Sequence, residues 1–186
     1  MSNKDTLKTV SDAERQRRLL KAKDCVDKAL KIYEVFPYAY YLRGRVFYQL
    51  NDYQHAYESY LHASSLNPGM AKYQNDLGTS LFSLGRFEEA AAVFQKAKDL
   101  NPLVADHPFN LGSACGALGE AFRQKNDMTN ATAMFNKAIE NFNLAIKLNP
   151  NYKSAYQFLG ATYSNMGDSI NAQIYFQKAN QIKLPQ

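Results

Sequence analysis

Three identical tripeptides divide this chain: Leu66-Asn67-Pro68, Leu100-Asn101-Pro102 and Leu148-Asn149-Pro150, the first two 34 residues apart. A period of that length marks stacked supersecondary units, and it constrains the fold more than any other feature. Counted back from each Pro, an Ala recurs five residues earlier (Ala63, Ala97, Ala145) and an aromatic eight earlier (Tyr60, Phe94, Phe142). A second Ala stands twelve earlier (Ala56, Ala90, Ala138), and Gly44 and Gly78 stand 24 before the first two prolines. A fourth copy keeps the offsets with Gly160, Tyr163, Ala172, Phe176 and Ala179, with Leu184 in the Pro slot and Pro185 one later.

Offsets of three and four put each Ala, aromatic, Ala set on one stripe of a helix. Ahead of it, Gly44/Phe47, Gly78/Leu81 and Gly160/Tyr163 mark one face of a first helix, where Gly lets two backbones approach closely. Asn51-Asp52, Gly85-Arg86 and Gly167-Asp168 break the chain between the two helices. The Asn before each Pro is pushed out of the α region and ends the second helix. Each unit is therefore expected to be an antiparallel helix hairpin that buries its apolar face only by stacking. Composition agrees: 9 Gly and 6 Pro against 13 Tyr and 11 Phe suit long helices with short turns.

These residues resemble the tetratricopeptide repeat, whose 34-residue pattern has this order of Gly, aromatic, Ala, aromatic, Ala and Pro. The resemblance runs over 37–186 and implies an all-α, right-handed α-α superhelix of four hairpins behind an N-terminal capping helix. The division it suggests is an arm at 1–10 and a single domain at 11–186. Within that domain a capping helix covers 11–35, followed by repeats at 37–70, 71–104, 105–152 and 153–186. Ser11-Asp12-Ala13-Glu14 has the spacing of a capping box, and Ala22, Val26 and Ala29 follow the second-helix offsets. Arg43 departs from the pattern, which prefers the Leu kept at Leu77, Leu111 and Leu159.

The third repeat is long. Gly112 to Pro150 spans 38 residues instead of 24, and the excess of 14 divides into two sevens. Leu111-Gly112 is echoed by Leu118-Gly119, and Ala138/Phe142/Ala145 by Ala131/Phe135/Ala138. Counted from Gly119, the turn Asn126-Asp127, Ala131 and Phe135 fall at ordinary offsets. Each helix of this hairpin is expected to gain about two turns, and seven residues nearly preserve its face. The tip around Gln124 to Met128 should project.

Chemistry beyond binding finds little support. The net charge is +5, and its one basic concentration, Arg15, Arg17, Arg18, Lys21 and Lys23, is interspersed with Asp12, Glu14, Asp24 and Asp27. That is a solvated helix face rather than a phosphate-tracking stripe, so no nucleic-acid partner is expected. No run approaches the ~18 apolar residues of a membrane span, and the first residues lead into no signal core. Cys25 and Cys115 make no disulfide framework, so the expectation is a cytoplasmic protein with no membrane insertion. His55, His62 and His107 lack a third ligand at useful spacing, Gly112, Gly116 and Gly119 lack the Lys-Ser/Thr of a phosphate loop, and no cofactor or metal is expected. No catalytic group is assigned.

What remains is a binding surface. In the family, first-helix residues around the Leu-Gly pair line a concave groove. Carried over, these are Tyr41 and Arg45 in repeat one and Lys72, Asn75, Asp76 and Thr79 in repeat two. Asn110 and Ser113 follow in repeat three, then Gln157 and Asn165 in repeat four. Asn offers donor and acceptor together, which suits gripping a peptide backbone. The expected function is a non-enzymatic scaffold, adaptor or co-chaperone-like module that holds a partner protein or extended peptide. The alternative is a structural module forming homo-oligomers through its C-terminal end or its long third hairpin. The family's clamp for acidic chaperone tails needs Lys and Asn where this chain has Tyr41 and Arg45, and Asn where it has Asp76. Asp76 repels a carboxylate, so tight binding of such tails is not expected.

Overall fold

A computed structural model describes residues 12–182, which hold nine α-helices and no β-strand. The 1–10 arm, Ser11 of the capping box, Leu184 and Pro185 lie outside the described residues. The chain divides into two compact units, 1–66 and 67–186.

In the first unit, α1 (Asp12–Ile32) packs on α2 (Pro37–Gln49), which pairs with α3 (Tyr53–Leu66). Pro37 begins α2, where its missing N–H costs nothing. Gly44 lies under the Tyr60 ring so closely that a Cβ there would fall 2.6 Å from a ring carbon. The turn between the two helices rests on Asn51 at φ 61°, with the Asp52 N–H reaching back to the Phe47 carbonyl at 2.9 Å. That six-to-one bond satisfies a carbonyl that the helix end would leave open. The Asp52 carboxylate then accepts from the His55 N–H at 3.2 Å and caps α3.

The capping helix packs on α2, the first helix of repeat one, as its second-helix offsets suggested, but those offset residues are only lightly buried. Ala22 is exposed, Val26 and Ala29 are half-buried, and Leu30 alone is buried. Arg43 supplies the missing contact. Its Nε lies 3.2 Å from Asp27 Oδ1, Lys23 Nζ lies 2.8 Å from Asp27 Oδ2, and the Arg43 guanidinium covers the Phe47 ring at 5.5 Å. A long cation in the slot of the pattern's Leu thus reaches α1 and pairs with it.

The second unit holds α4 (Ala71–Ser83), α5 (Phe87–Leu100), α6 (Asp106–Gln124), α7 (Met128–Leu148), α8 (Lys153–Asn165) and α9 (Ser169–Gln181). α4 pairs with α5, α6 with α7 and α8 with α9, while α6 also packs on α5 and α8 on α7. The turns repeat the device of the first unit. Gly85, Asn126 and Gly167 have φ of 75°, 60° and 82°, and the next N–H reaches Leu81, Phe122 or Tyr163, each time at 2.9 Å. Asp127 and Asp168 cap α7 and α9 through the backbone N–H groups of Asn130 and Asn171. Arg86 stands where the others have Asp and pairs with Glu89 instead, at 2.6 Å.

The long hairpin follows the doubled pattern. α6 and α7 have 19 and 21 residues, against 13 and 14 in α4 and α5. Both Gly-aromatic contacts exist within it: Gly112 meets Phe142 and Gly119 meets Phe135, as Gly78 meets Phe94 and Gly160 meets Phe176. Ala131, Phe135, Ala138, Phe142 and Ala145 are all buried along α7.

Candidate functional site

α4, α6 and α8 are the first helices of the second unit, and α6 meets both of the others. Six of the expected groove residues form a surface across these helices or border it. On α4, Lys72 Nζ stands 4.0 Å from Asp76 Oδ2, and Asn75 Nδ2 donates to Asp76 Oδ1 at 3.2 Å. From α6, Asn110 Nδ2 donates to Asn75 Oδ1 at 2.9 Å. A connected polar rung therefore runs from Lys72 to Asn110. Asn75, Asp76 and Asn110 are half-buried, so their amides and carboxylate hold a set geometry while keeping lone pairs and N–H groups to spare. Thr79 and Ser113 are less available, because each hydroxyl donates to its own helix, to the Asn75 and Phe109 carbonyls at 3.0 Å. Gln157 and Asn165 on α8 are exposed and stand apart from the rung.

The first-repeat pair belongs to the other unit and divides. Arg45 is exposed and lies over the Tyr41 ring at 5.9 Å. Tyr41, expected in the groove, is instead a core residue with 2% of its surface exposed. Its ring packs between Tyr38 and Tyr60, each 5.9 Å away. The ring fills core space between α2 and α3 that a smaller groove residue would leave empty.

The other side of α6 carries a feature the slot assignment passed over. Phe109 contacts Tyr152 at 4.8 Å, Phe158 at 5.3 Å and Phe142 at 5.8 Å between ring centroids. Phe158 is 46% exposed, and it occupies the slot that holds Asp76 and Asn110 in the preceding repeats. That departure was visible in the sequence, but its neighbours were not. Tyr152 donates its hydroxyl to Asp106 Oδ1 at 2.7 Å, and burial beside this carboxylate pushes the phenol well above its ordinary value. The hydroxyl therefore stays protonated and pins the α8 end of the aromatic patch to the start of α6.

The surface thus joins hydrogen-bonding amides on the α4 side of α6 to an apolar aromatic shelf on the α8 side. Among the described residues no cluster of His, Cys, Asp and Glu could hold a metal ion, and no helix is long and apolar enough to cross a membrane.

Comparison with known proteins places this arrangement. Sequence models of the tetratricopeptide repeat match residues 37–70, 71–103, 112–141 and 154–184. The third match opens seven residues before Gly119, as the first two open seven before Gly44 and Gly78, so it follows the inner register of the long hairpin. No curated protein matches the chain. Among solved structures, a crystal structure of MamA is 23% identical with a TM-score of 0.74, covering 92% of this chain and 94% of that one. MamA from Desulfovibrio magneticus RS-1 is 20% identical with a TM-score of 0.75, over 93% and 96% of the two chains. YrrB, described as a tetratricopeptide protein with an unusual peptide-binding site, is 23% identical with a TM-score of 0.72, over 90% and 79%. These likenesses are of fold. With sequence models matching well over half its length and the hairpin geometry those models describe, the chain belongs to the tetratricopeptide repeat family.

Proposed function

We propose that the protein is a non-enzymatic scaffold that holds an extended segment of a partner protein across α4, α6 and α8. The observation that carries this is the inter-helix bond from Asn110 to Asn75, with the exposed Phe158 set against Phe109, the residue before Asn110. Amides fixed in this way meet a peptide backbone without first being ordered, which lowers the entropic cost of binding. The aromatic shelf takes an apolar side chain of the same segment. YrrB, described as binding peptide, shares the fold and supports this class of partner.

Affinity capture with the intact chain, set beside the N75A/N110A and F158A variants, tests the reading. Loss of a captured partner in both variants supports it. A partner retained at full strength by both would place binding elsewhere. The acidic-tail clamp is a separate matter. Asp76 sits in the required Asn slot within the rung, so calorimetry with an acidic chaperone-tail peptide should give no micromolar affinity. Such an affinity would overturn the assignment of the groove's charge.

Self-association is the second reading, favoured by the last hairpin. Ile170 is 75% exposed on α9, and Ile174 and Phe176 are exposed with it. Light scattering over rising concentration, repeated with I170E/I174E, decides it. A wild-type monomer throughout removes this reading.

A further inference from the structure

A cleft of about 340 Å3 opens between α5, α6 and α7. It does not belong to the surface described above. At about 100° per residue, Cys115 in its floor lies roughly 140° around α6 from Asn110 in the rung. Its floor is the stripe Leu111, Cys115 and Leu118 of α6, walled by Ala91 of α5 and Met134 of α7.

The sequence accounts for the space. Counted from the packing glycine, Cys115 takes the place that holds Phe47, Leu81 and Tyr163 in the other repeats. A thiol in place of those side chains leaves volume that the hairpin does not fill.

The mouth is charged. Lys98 of α5 and Lys137 of α7 line the cleft from opposite walls, and neither ammonium enters an ion pair among the described residues. Lys98 Nζ donates to Asn141 Oδ1 at 3.1 Å, and Asn141 Nδ2 donates to the Lys137 carbonyl at 2.8 Å, which fixes the Lys98 head at the rim. Glu140 is the one carboxylate in the lining, so two cations against one anion leave a single positive charge. The charges reach the floor: burial pushes the Cys115 thiol up, Lys137 and Lys98 oppose that shift, and Glu140 adds to it by less than either.

We propose that this cleft is a second binding site, taking a small amphipathic monocarboxylate whose apolar chain lies over Cys115 and whose carboxylate meets Lys98 and Lys137. The volume is at the lower end of the ~300–1,000 Å3 of small-molecule pockets, which suits a compact aliphatic or aromatic acid. A neutral apolar molecule would leave the rim unanswered, and a cation would meet it with repulsion.

The test uses octanoate, with octylammonium as its charge-reversed counterpart, on the full chain carrying Cys25→Ser so that Cys115 is the sole thiol. Octanoate should slow alkylation of Cys115 by iodoacetamide, and octylammonium should not. K98Q/K137Q should raise the octanoate concentration needed for half protection by about tenfold, the loss of charge-assisted contacts. In calorimetry, Cys115→Phe, which refills the space, should abolish binding. Because Phe at 115 can disturb the packing, the lysine pair at the rim carries the decision independently. No protection by octanoate, equal protection by octylammonium, or an unchanged midpoint in K98Q/K137Q would each overturn the proposal.

Discussion

Glycine in this chain serves two different ends, and the difference is measurable. Gly119 lies beneath Phe135, where a Cβ would come within 2.6 Å of the ring, and Phe135 is itself buried. Gly116, one turn earlier on the same helix, has nothing nearer than the Ala138 Cβ at 4.0 Å. Gly116→Ala should therefore gain helix propensity of up to about 1 kcal/mol. Gly119→Ala gains the same propensity but sets it against overpacking of about 1–3 kcal/mol. Denaturant unfolding should find G119A the less stable of the two by about 1–3 kcal/mol; equal stabilities would refute the close contact. Tyr152 supplies a pH signature at the same scale. Its folded pKa is raised above the ordinary 10.0 by burial and by Asp106. Its contribution to stability is thus complete below about pH 10 and falls as pH rises beyond it, because the unfolded chain ionises first. Tyr152→Phe should unfold with a shallower alkaline loss than wild type, and identical alkaline profiles would count against that account. The Phe158 slot was legible as a residue out of pattern. Its contact with Phe109 was not, since the two are 49 residues apart and no local period links them.

Among the elements, α1 packs on α2 as its offsets suggested, but more lightly than an apolar stripe would. Its Ala22, Val26 and Ala29 have the spacing of an apolar stripe, yet only Leu30 of the helix is buried, whereas α2 buries Ala39, Tyr41, Gly44, Val46 and Phe47. Asp27, held by Arg43 and Lys23, takes much of the burden, and these side chains keep about a third of their surface in solvent. Partly exposed ion pairs are worth up to about 1 kcal/mol and weaken with salt. Amide exchange in α1 should therefore run faster than in α2 and α3, and rise further with salt or in Asp27→Asn. Uniform protection across the three helices, insensitive to salt, would show that apolar contacts hold α1 after all. The departure at Arg43 was plain in the sequence. Its purpose needed the position of Asp27, a partner on another helix.

For the whole molecule, the doubled heptads of the third repeat allow a direct test of modularity. Each inserted seven repeats a Gly-aromatic contact already present, Gly112 with Phe142 and Gly119 with Phe135. Removing 113–119 and 132–138 leaves one such contact and restores the ordinary offsets. The shortened chain should fold with unchanged helicity per residue and a single cooperative transition, seen by circular dichroism; a collapse of helicity would mean the long hairpin is needed by its neighbours. The same deletion removes Cys115, Leu118 and Lys137 and with them the carboxylate cleft. The sequence by itself determined the helices, their turns and their pairing. Those depend on residues three, four and seven apart, on Asn or Gly at left-handed turn positions, and on small residues facing aromatics, all of which are written along one strand of covalent order. Tertiary structure alone decided that Tyr41 is core, that Asn75 and Asn110 share a hydrogen bond, that Phe158 finds Phe109, and that Cys115 floors a cleft. Those outcomes turn on which side chains compete for the same buried volume, and residues far apart in sequence settle that only when their helices meet.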